Sequence, residues 1–261
     1  MIDDSPLDFF ALLRYSFMKH IYDYFHKTVT FLATKGKKHM ETSARSTVNQ
    51  PVATRLLLAC GVIGPLLFIV VFLIEGATRP HYSAWHNVVS SLSQGEGGWM
   101  QITNFIVCGA LVFGFAIGLR RVLRPGRGST WIPILLGIFG LCLIGAGIFV
   151  TDPLLGYPSA TPSVPTVHGA LHNLLSLFVF ASLIAACFVL ARRDAADPAR
   201  RGWVWYSIAT GILVAVFFIL TDVVALLNGP AGLVQRICII LGWVWIALLA
   251  ARLMSKNASR A

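Results

Sequence analysis

The chain has 261 residues, of which 56% are hydrophobic and only 12% charged, about half the roughly 25% charge of a soluble domain. Its formal net charge of +10 raises nucleic acid as a partner, but the basic residues fall in short clusters between long uncharged runs, which argues against it. Cys60, Cys108, Cys142, Cys187 and Cys238 all lie inside apolar runs, so no disulfide framework is readable and they read as small packing residues.

Six runs lack ionisable groups: Leu56–Ile74, Ile102–Leu119, Trp131–Val150, Leu174–Ala191, Trp203–Leu220 and Ile237–Ala251. Each approaches, with its flanks, the roughly 20 residues a helix needs to cross a bilayer. The predicted fold class is all-α: a polytopic, multi-pass bundle of six transmembrane helices. The intervening segments alternate in charge. Arg120, Arg121, Arg124 and Arg127 lie after the second run, and Arg192, Arg193, Arg200 and Arg201 after the fourth. Arg252, Lys256 and Arg260 follow the sixth, whereas segments 75–101 and 151–173 share one basic residue, Arg79, and 221–232 has none. This positive-inside pattern predicts a plasma-membrane protein with both termini cytoplasmic and loops one, three and five outside.

The predicted organisation is a cytoplasmic extension over 1–50, a six-helix domain over 51–254 and a short cytoplasmic tail over 255–261. The extension has no secretory pattern. Its segment from Leu7 to Leu32 is aromatic-rich with interspersed charges and reads as an amphipathic helix on the membrane surface, with Lys35, Lys37 and Lys38 placed to meet anionic lipid. An equal reading starts the natural chain at Met40.

In the first outer loop, Trp85, Val88, Val89 and Leu92 recur at helical spacing and predict a short helix over Tyr82–Ser93 lying in the interface. His86, Ser90 and Ser93 fall on its other side, free to point at the protein centre. Ala110, Gly114 and Gly118 in the second run, and Ser207, Gly211 and Ala215 in the fifth, give small residues every four positions for close helix packing. Thr166 is the predicted N-cap of the fourth helix. Each outward-running helix ends in an acid followed by Gly and Pro, at Glu75, Asp152 and Asp222. That is a faint sign of three copies of one hairpin, with chance as its rival.

The outer acids sit at helix C-termini, where negative charge is disfavoured, so each needs a compensating partner. His168 and His172, four apart, share one helix face about 6 Å apart along the axis. At a helix N-terminus neutral imidazole, the metal-binding form, is preferred. These placements agree if a cation sits between them. The candidate metal set is His168, His172 and His86 (or His81 in its place) around Zn²⁺. Plainer readings stand beside it: Asp222 pairs with Arg236, Asp152 caps a turn, and the histidines pack or hydrogen-bond.

Several motifs add a resemblance: Arg79-Pro80-x-Tyr82-Ser83, Ser90-Ser91-Leu92, Gly98-Trp99-x-Gln101 with Asn104-Phe105, Asp152-Pro153, His168-Gly169-x-x-His172 and Gln235-Arg236. Over about residues 52–252 the chain resembles the prokaryotic six-span membrane family known as domain of unknown function 998, with one departure, His81, where that pattern expects glycine. The resemblance implies a fold and a membrane location. A looser similarity, of residue inventory, links His86, His168, His172, Asp152 and Ser90 to the zinc site of seven-span alkaline ceramidases and adiponectin-receptor-like proteins.

Two functions follow as expectations. In the first, the protein is a zinc-dependent hydrolase of a membrane lipid: the histidines hold the metal, Asp152 orients or deprotonates its water and Ser90 polarises the carbonyl. Arg236 and Arg79, with Asp222, bind an anionic head group. In the second, the cluster is a structural polar lock or a lipid or metal sensor without catalysis. Transport ranks third, because the spans hold no ionisable residues along a path. Membrane lipids are the expected partners and nucleic acid is not; oligomerisation is unassigned.

Overall fold

A computed structural model describes residues 52–258 apart from 124, 125 and 127. The extension over 1–50 and the end of the tail, with the amphipathic helix expected there, lie outside the described residues. The described residues form six long α-helices: α1 (Val52–Thr78), α2 (Gly98–Val122), α3 (Trp131–Ile148), α4 (Val167–Asp194), α5 (Arg201–Leu226) and α6 (Ala231–Ala258). All six are long and apolar enough to cross a membrane, and each takes in one of the uncharged runs, except that α3 stops at Ile148, two residues before its run ends. Among the described residues there is no strand, only an isolated bridge between Leu154 and Tyr157.

Each helix packs mainly on its neighbours in the chain, and α6 closes back on α1. The result is a closed ring of antiparallel helices with a centre that side chains must fill. Aromatic rings from four helices fill its middle. Phe68 of α1 stacks on Trp243 of α6 at 4.5 Å between centroids, while Phe139 of α3 meets the same indole edge-on at 5.3 Å and Phe105 of α2 lies 5.7 Å from Phe68. In a bilayer, where lipid tails are as apolar as the core, such packing holds helices together.

Small residues set the closest approaches, partly where the periodicity put them. Gly114 and Gly118 face Leu57 of α1, as the stripe predicts, but Ala110 is exposed. Gly109, one position earlier, makes the tighter contact: a Cβ there would meet the Gly140 carbonyl oxygen of α3 at 2.7 Å. In α5, Gly211 packs on Cys187 and Phe188 of α4, while Ser207 accepts a 3.0 Å hydrogen bond from Trp245 of α6.

The arginine-rich end is closed by one buried acid. Asp194 at the end of α4 takes Arg252 of α6 at 2.5 Å and Arg200 at 3.1 Å. The Arg252 guanidinium also lies 4.4 Å from the Trp203 ring of α5. Helices α4 and α6 and the turn that leads into α5 thus meet on one carboxylate that is 2% exposed.

The opposite end carries the long basic-poor loops, and there the interface helix expected over Tyr82–Ser93 is not formed. Only Val89–Ser93 is helical, as a 3-10 turn. Trp85 is exposed, whereas Val88, Val89 and Leu92 are buried in the bundle. The apolar spacing was real, but those side chains are taken by the mouth of the ring, and burying them there requires the backbone to turn inward. The expectation of glycine at position 81 has a physical basis: His81 has φ +59°, in the left-handed region that glycine occupies most readily.

Candidate functional site: a capped cavity in the ring

Loop one, residues 79–97, is bound at both of its ends by arginines. Arg79 pairs with Glu75 one turn back at 2.9 Å and donates to the carbonyls of Gln94, Glu96 and Gly97. Glu75, at the unfavourable end of α1, thus has its compensating cation within its own helix terminus. At the other end, loop one sits on the N-terminus of α6. The orphan amides of Gly232 and Leu233 donate to the carbonyls of His86 and Trp85, each at 3.1 Å. Arg236 donates to Ala84 O at 2.7 Å, Asn87 O at 3.0 Å and Gly232 O at 2.9 Å, and to the Tyr82 hydroxyl at 2.6 Å. Gln235 Oε1 accepts from Val89 N at 2.6 Å. Burial pushes the Tyr82 phenol above its ordinary pKa, with the Arg236 guanidinium opposing.

Loop three is tied to loop one from the other side. Asn87 donates to Leu155 O at 3.0 Å, Gln94 to Thr151 O, and Tyr82 meets Tyr157 edge-on at 5.2 Å. Leu155 and Gly156 both have positive φ, which folds residues 154–157 into a tight hairpin.

Asp152 lies over the N-terminus of α4. Its carboxylate accepts from Thr166 N at 3.0 Å and Thr166 Oγ1 at 2.6 Å, and Thr166 in turn caps Gly169 N at 3.0 Å, the N-cap role predicted for it. A carboxylate at the wrong end of α3 is therefore at the favourable end of α4. Gly169 leaves it room, since a Cβ there would overlap the carboxylate.

His172 is buried, and its Nδ1 lies 2.8 Å from both Ala146 O and Phe149 O. Carbonyls only accept, so Nδ1 carries the proton, and Nε2 is left without a hydrogen-bond partner among the described residues.

The predicted metal set is not assembled. Among the described residues, no group of three His, Cys, Asp or Glu side chains is placed to hold a metal. His168 is exposed and packs on Phe149 at 5.5 Å; His86 is exposed, with Nδ1 3.2 Å from Gly229 O; His81 is also exposed. The geometric reason is that His168 and His172 take different surroundings, one outside the ring and one inside, although they share a helix. Arg79 and Arg236 are likewise placed elsewhere than expected: their guanidiniums are spent on the chain's own carbonyls, and their donors do not present a free anion site.

Three of the predicted residues do come together. Ser90, His172 and Asp222 line a cavity of about 120 Å³ inside the ring, under loops one and three. Thr151, Asn173, Ser176, Thr221 and Gln235 complete its polar part. Phe68, Phe105, Phe139, Phe180, Phe218 and Trp243 form its aromatic part. Among the described residues, neither Lys nor Arg lines it. Asn173, Ser176 and Gln235 were missed as site residues. A signal was present on α4: His172, Ser176, Val179 and Leu183 lie on one face, polar near the loops and apolar further in.

A closed ring of six apolar helices, with a polar lid of two loops over a central cavity, defines a multi-pass helical membrane protein with an internal cavity. The chain belongs to the family described as proteins of unknown function DUF998, whose model matches residues 62–252. No curated protein and no solved structure matches it. The motifs that carried the resemblance now have a spatial meaning. Arg79, Tyr82 and Gln235-Arg236 hold the lid, Asp152 and Gly169 start α4, and His172 faces the chamber.

Proposed function

We propose that this protein is a non-enzymatic membrane receptor that binds a small amphipathic molecule in the chamber of the ring, at the outward-facing side of the plasma membrane. The observation that carries the reading is the division of one cavity into a polar part beneath the lid and an aromatic part at the ring's middle. Binding pockets are typically apolar with a few placed polar groups. A volume of about 120 Å³ is near that of an engineered cavity that accepts benzene, so the ligand is a short amphiphile of that order of size. A structural lock supports this pattern less well, because a lock fills its own hydrogen bonds. Here His172 Nε2 and the side chains of Ser90, Asn173 and Ser176 have no hydrogen-bond partner among the described residues.

The zinc-hydrolase reading has less support, since the three histidines do not converge. What remains of it is that Ser90, His172 and Asp222 line one cavity.

The test uses Trp243 as a reporter in the purified protein reconstituted in nanodiscs. Bromohexanol is expected to quench its fluorescence saturably. Trp243→Phe should remove the saturable component, and Ser176→Phe, which fills the cavity, should abolish it. Quenching that rises linearly in all three proteins would refute the reading.

A further inference from the structure

The chamber's wall is fully buried on one side of the ring and only half-buried on the other, and this asymmetry bears on where a ligand comes from, given that the chamber is a binding site. We infer that the ligand is an amphiphile dissolved in the bilayer, and that it enters sideways through the lid-end half of the seam between α4 and α5 rather than from water through the loops. The lining from α1, α2 and α3, made of Phe68, Phe105, Phe139, Leu143 and Ala146, is buried throughout. On the other side, Asn173, Ser176 and Phe180 of α4 and Asp222 and Ala225 of α5 line the chamber and are each half-buried. The far half of the same seam is closed. Phe180 meets Phe218 at 4.6 Å between ring centroids, and beyond them Gly211 packs on Cys187 and Phe188.

The loops leave the same side untied. Loop one is bonded to loop three through Asn87 and Gln94, and to α6 through Gln235 and Arg236. It also meets loop five, residues 227–230, where His86 Nδ1 lies 3.2 Å from Gly229 O. Among the described residues, no hydrogen bond joins loop five to loop three, residues 149–166, and these are the two loops that flank the α4–α5 seam. Val167 at the start of α4 and Leu226 at the end of α5 are exposed, which suits a rim set against lipid.

The chamber's order of polarity matches that of a leaflet. Counted along α4 at 1.5 Å per residue, Asn173 lies about 9 Å from the helix start and Phe180 about 20 Å, close to the middle of the helix. The half-buried seam therefore reaches the depth of lipid tails. An amphiphile in a bilayer holds its head near the surface and its tail toward the middle of a hydrocarbon layer about 30 Å thick. It can cross the seam at constant depth, head to the polar part and tail to the aromatic part, without turning over. Asn173 and Ser176 offer the crossing head both donors and acceptors, which offsets part of the cost of taking a polar group out of the interface.

The experiment follows a cysteine placed in the chamber, Ser176→Cys, in the full-length protein in nanodiscs. N-hexylmaleimide, which partitions into bilayers, is compared with two charged methanethiosulfonates that do not, one anionic and one cationic. Each rate is divided by that of the same reagent at Ser159→Cys, exposed in loop three. Modification is read peptide by peptide by mass spectrometry, which separates the native cysteines. The relative rate of hexylmaleimide is expected to exceed those of both charged reagents by at least about tenfold, since a charge does not cross an apolar seam readily. Ala225→Trp, added to Ser176→Cys, should narrow the seam and slow hexylmaleimide, whereas Ala110→Trp, on the exposed face of α2, should not. The comparison of reagents needs no bulky variant, so a folding defect in Ala225→Trp does not blunt the test. Charged reagents that reach Ser176→Cys as readily as hexylmaleimide would overturn entry from the bilayer and leave the chamber standing. Labelling that a folded Ala225→Trp protein does not slow would overturn the seam as the route. If no reagent reaches Ser176→Cys, the chamber reading itself is overturned, and this inference with it.

Discussion

Replacing Arg236 with methionine is expected to destabilise the protein by about 3–5 kcal/mol, the range for removing one side of a buried charged network. The side chain is 7% exposed and satisfies three carbonyls and a phenol that have been removed from water. Methionine keeps the volume and loses every donor, so each acceptor bears its own desolvation cost. An arginine in an apolar helix is tolerable only when it is satisfied internally, and here the groups that satisfy it all belong to loop one or to the start of α6. The loss should therefore be local first. Hydrogen exchange at the amides of Val89, Gly232 and Leu233 should accelerate strongly, while amides in the middle of α3 and α4 stay protected. Thermal unfolding in detergent gives the global figure. Unchanged exchange at those three amides would show that the lid does not depend on Arg236.

Replacing Asp194 with alanine is expected to cost a similar amount, about 3–5 kcal/mol, at the other end of the molecule. It leaves Arg252, itself mostly buried, facing Arg200 without the carboxylate that separates them. Asp194→Asn keeps the shape and one of the two acceptors, but sets its amide NH2 against one arginine donor and loses the charge, and should fall between wild type and alanine. The cation–π contact of Arg252 with Trp203 survives both changes and limits the damage. Thermal unfolding of the three proteins in the same detergent checks the order. Equal stability of all three would mean that the α4–α6 junction is held by apolar packing alone. Because the two ends share no partners, the Arg236 and Asp194 effects should add.

The six spans were legible because lipid leaves only one solution for a long uncharged run, a helix whose backbone bonds are all internal. The N-cap at Thr166 was legible for a similar reason, as a local signal read within four residues. The partners of the three acids were harder. Glu75 and Arg79 stand four apart, so their pairing was open to reading from helical spacing alone. Asp152 finds Thr166, 14 positions on, across a loop whose course no periodicity reveals. Asp222 lines the chamber. One repeated acid position thus serves three different ends.

The chamber was the least legible part, because its wall draws one or a few residues from each of six helices and nothing in the order of the chain marks them as neighbours. His168 and His172 show the limit most plainly. Their spacing places them on one helix face, and it does so correctly. It does not say where the boundary between ring interior and exterior runs along that face, and that boundary passes between them. Arg236 misled in the opposite direction. A lone arginine at a helix start resembles an anion site, and only the path of loop one shows that backbone carbonyls already occupy it.

The most direct test of the account is a crystal structure of the protein soaked in bromohexanol, with anomalous maps collected at the bromine and zinc edges. The account predicts a bromine peak among Phe68, Phe139 and Trp243, with the hydroxyl end of the ligand toward His172 and Asp222. Bromine found only on the lipid-facing surface, or a zinc peak held by His172 with a displaced His86 or His168, would contradict it and return the hydrolase to first place.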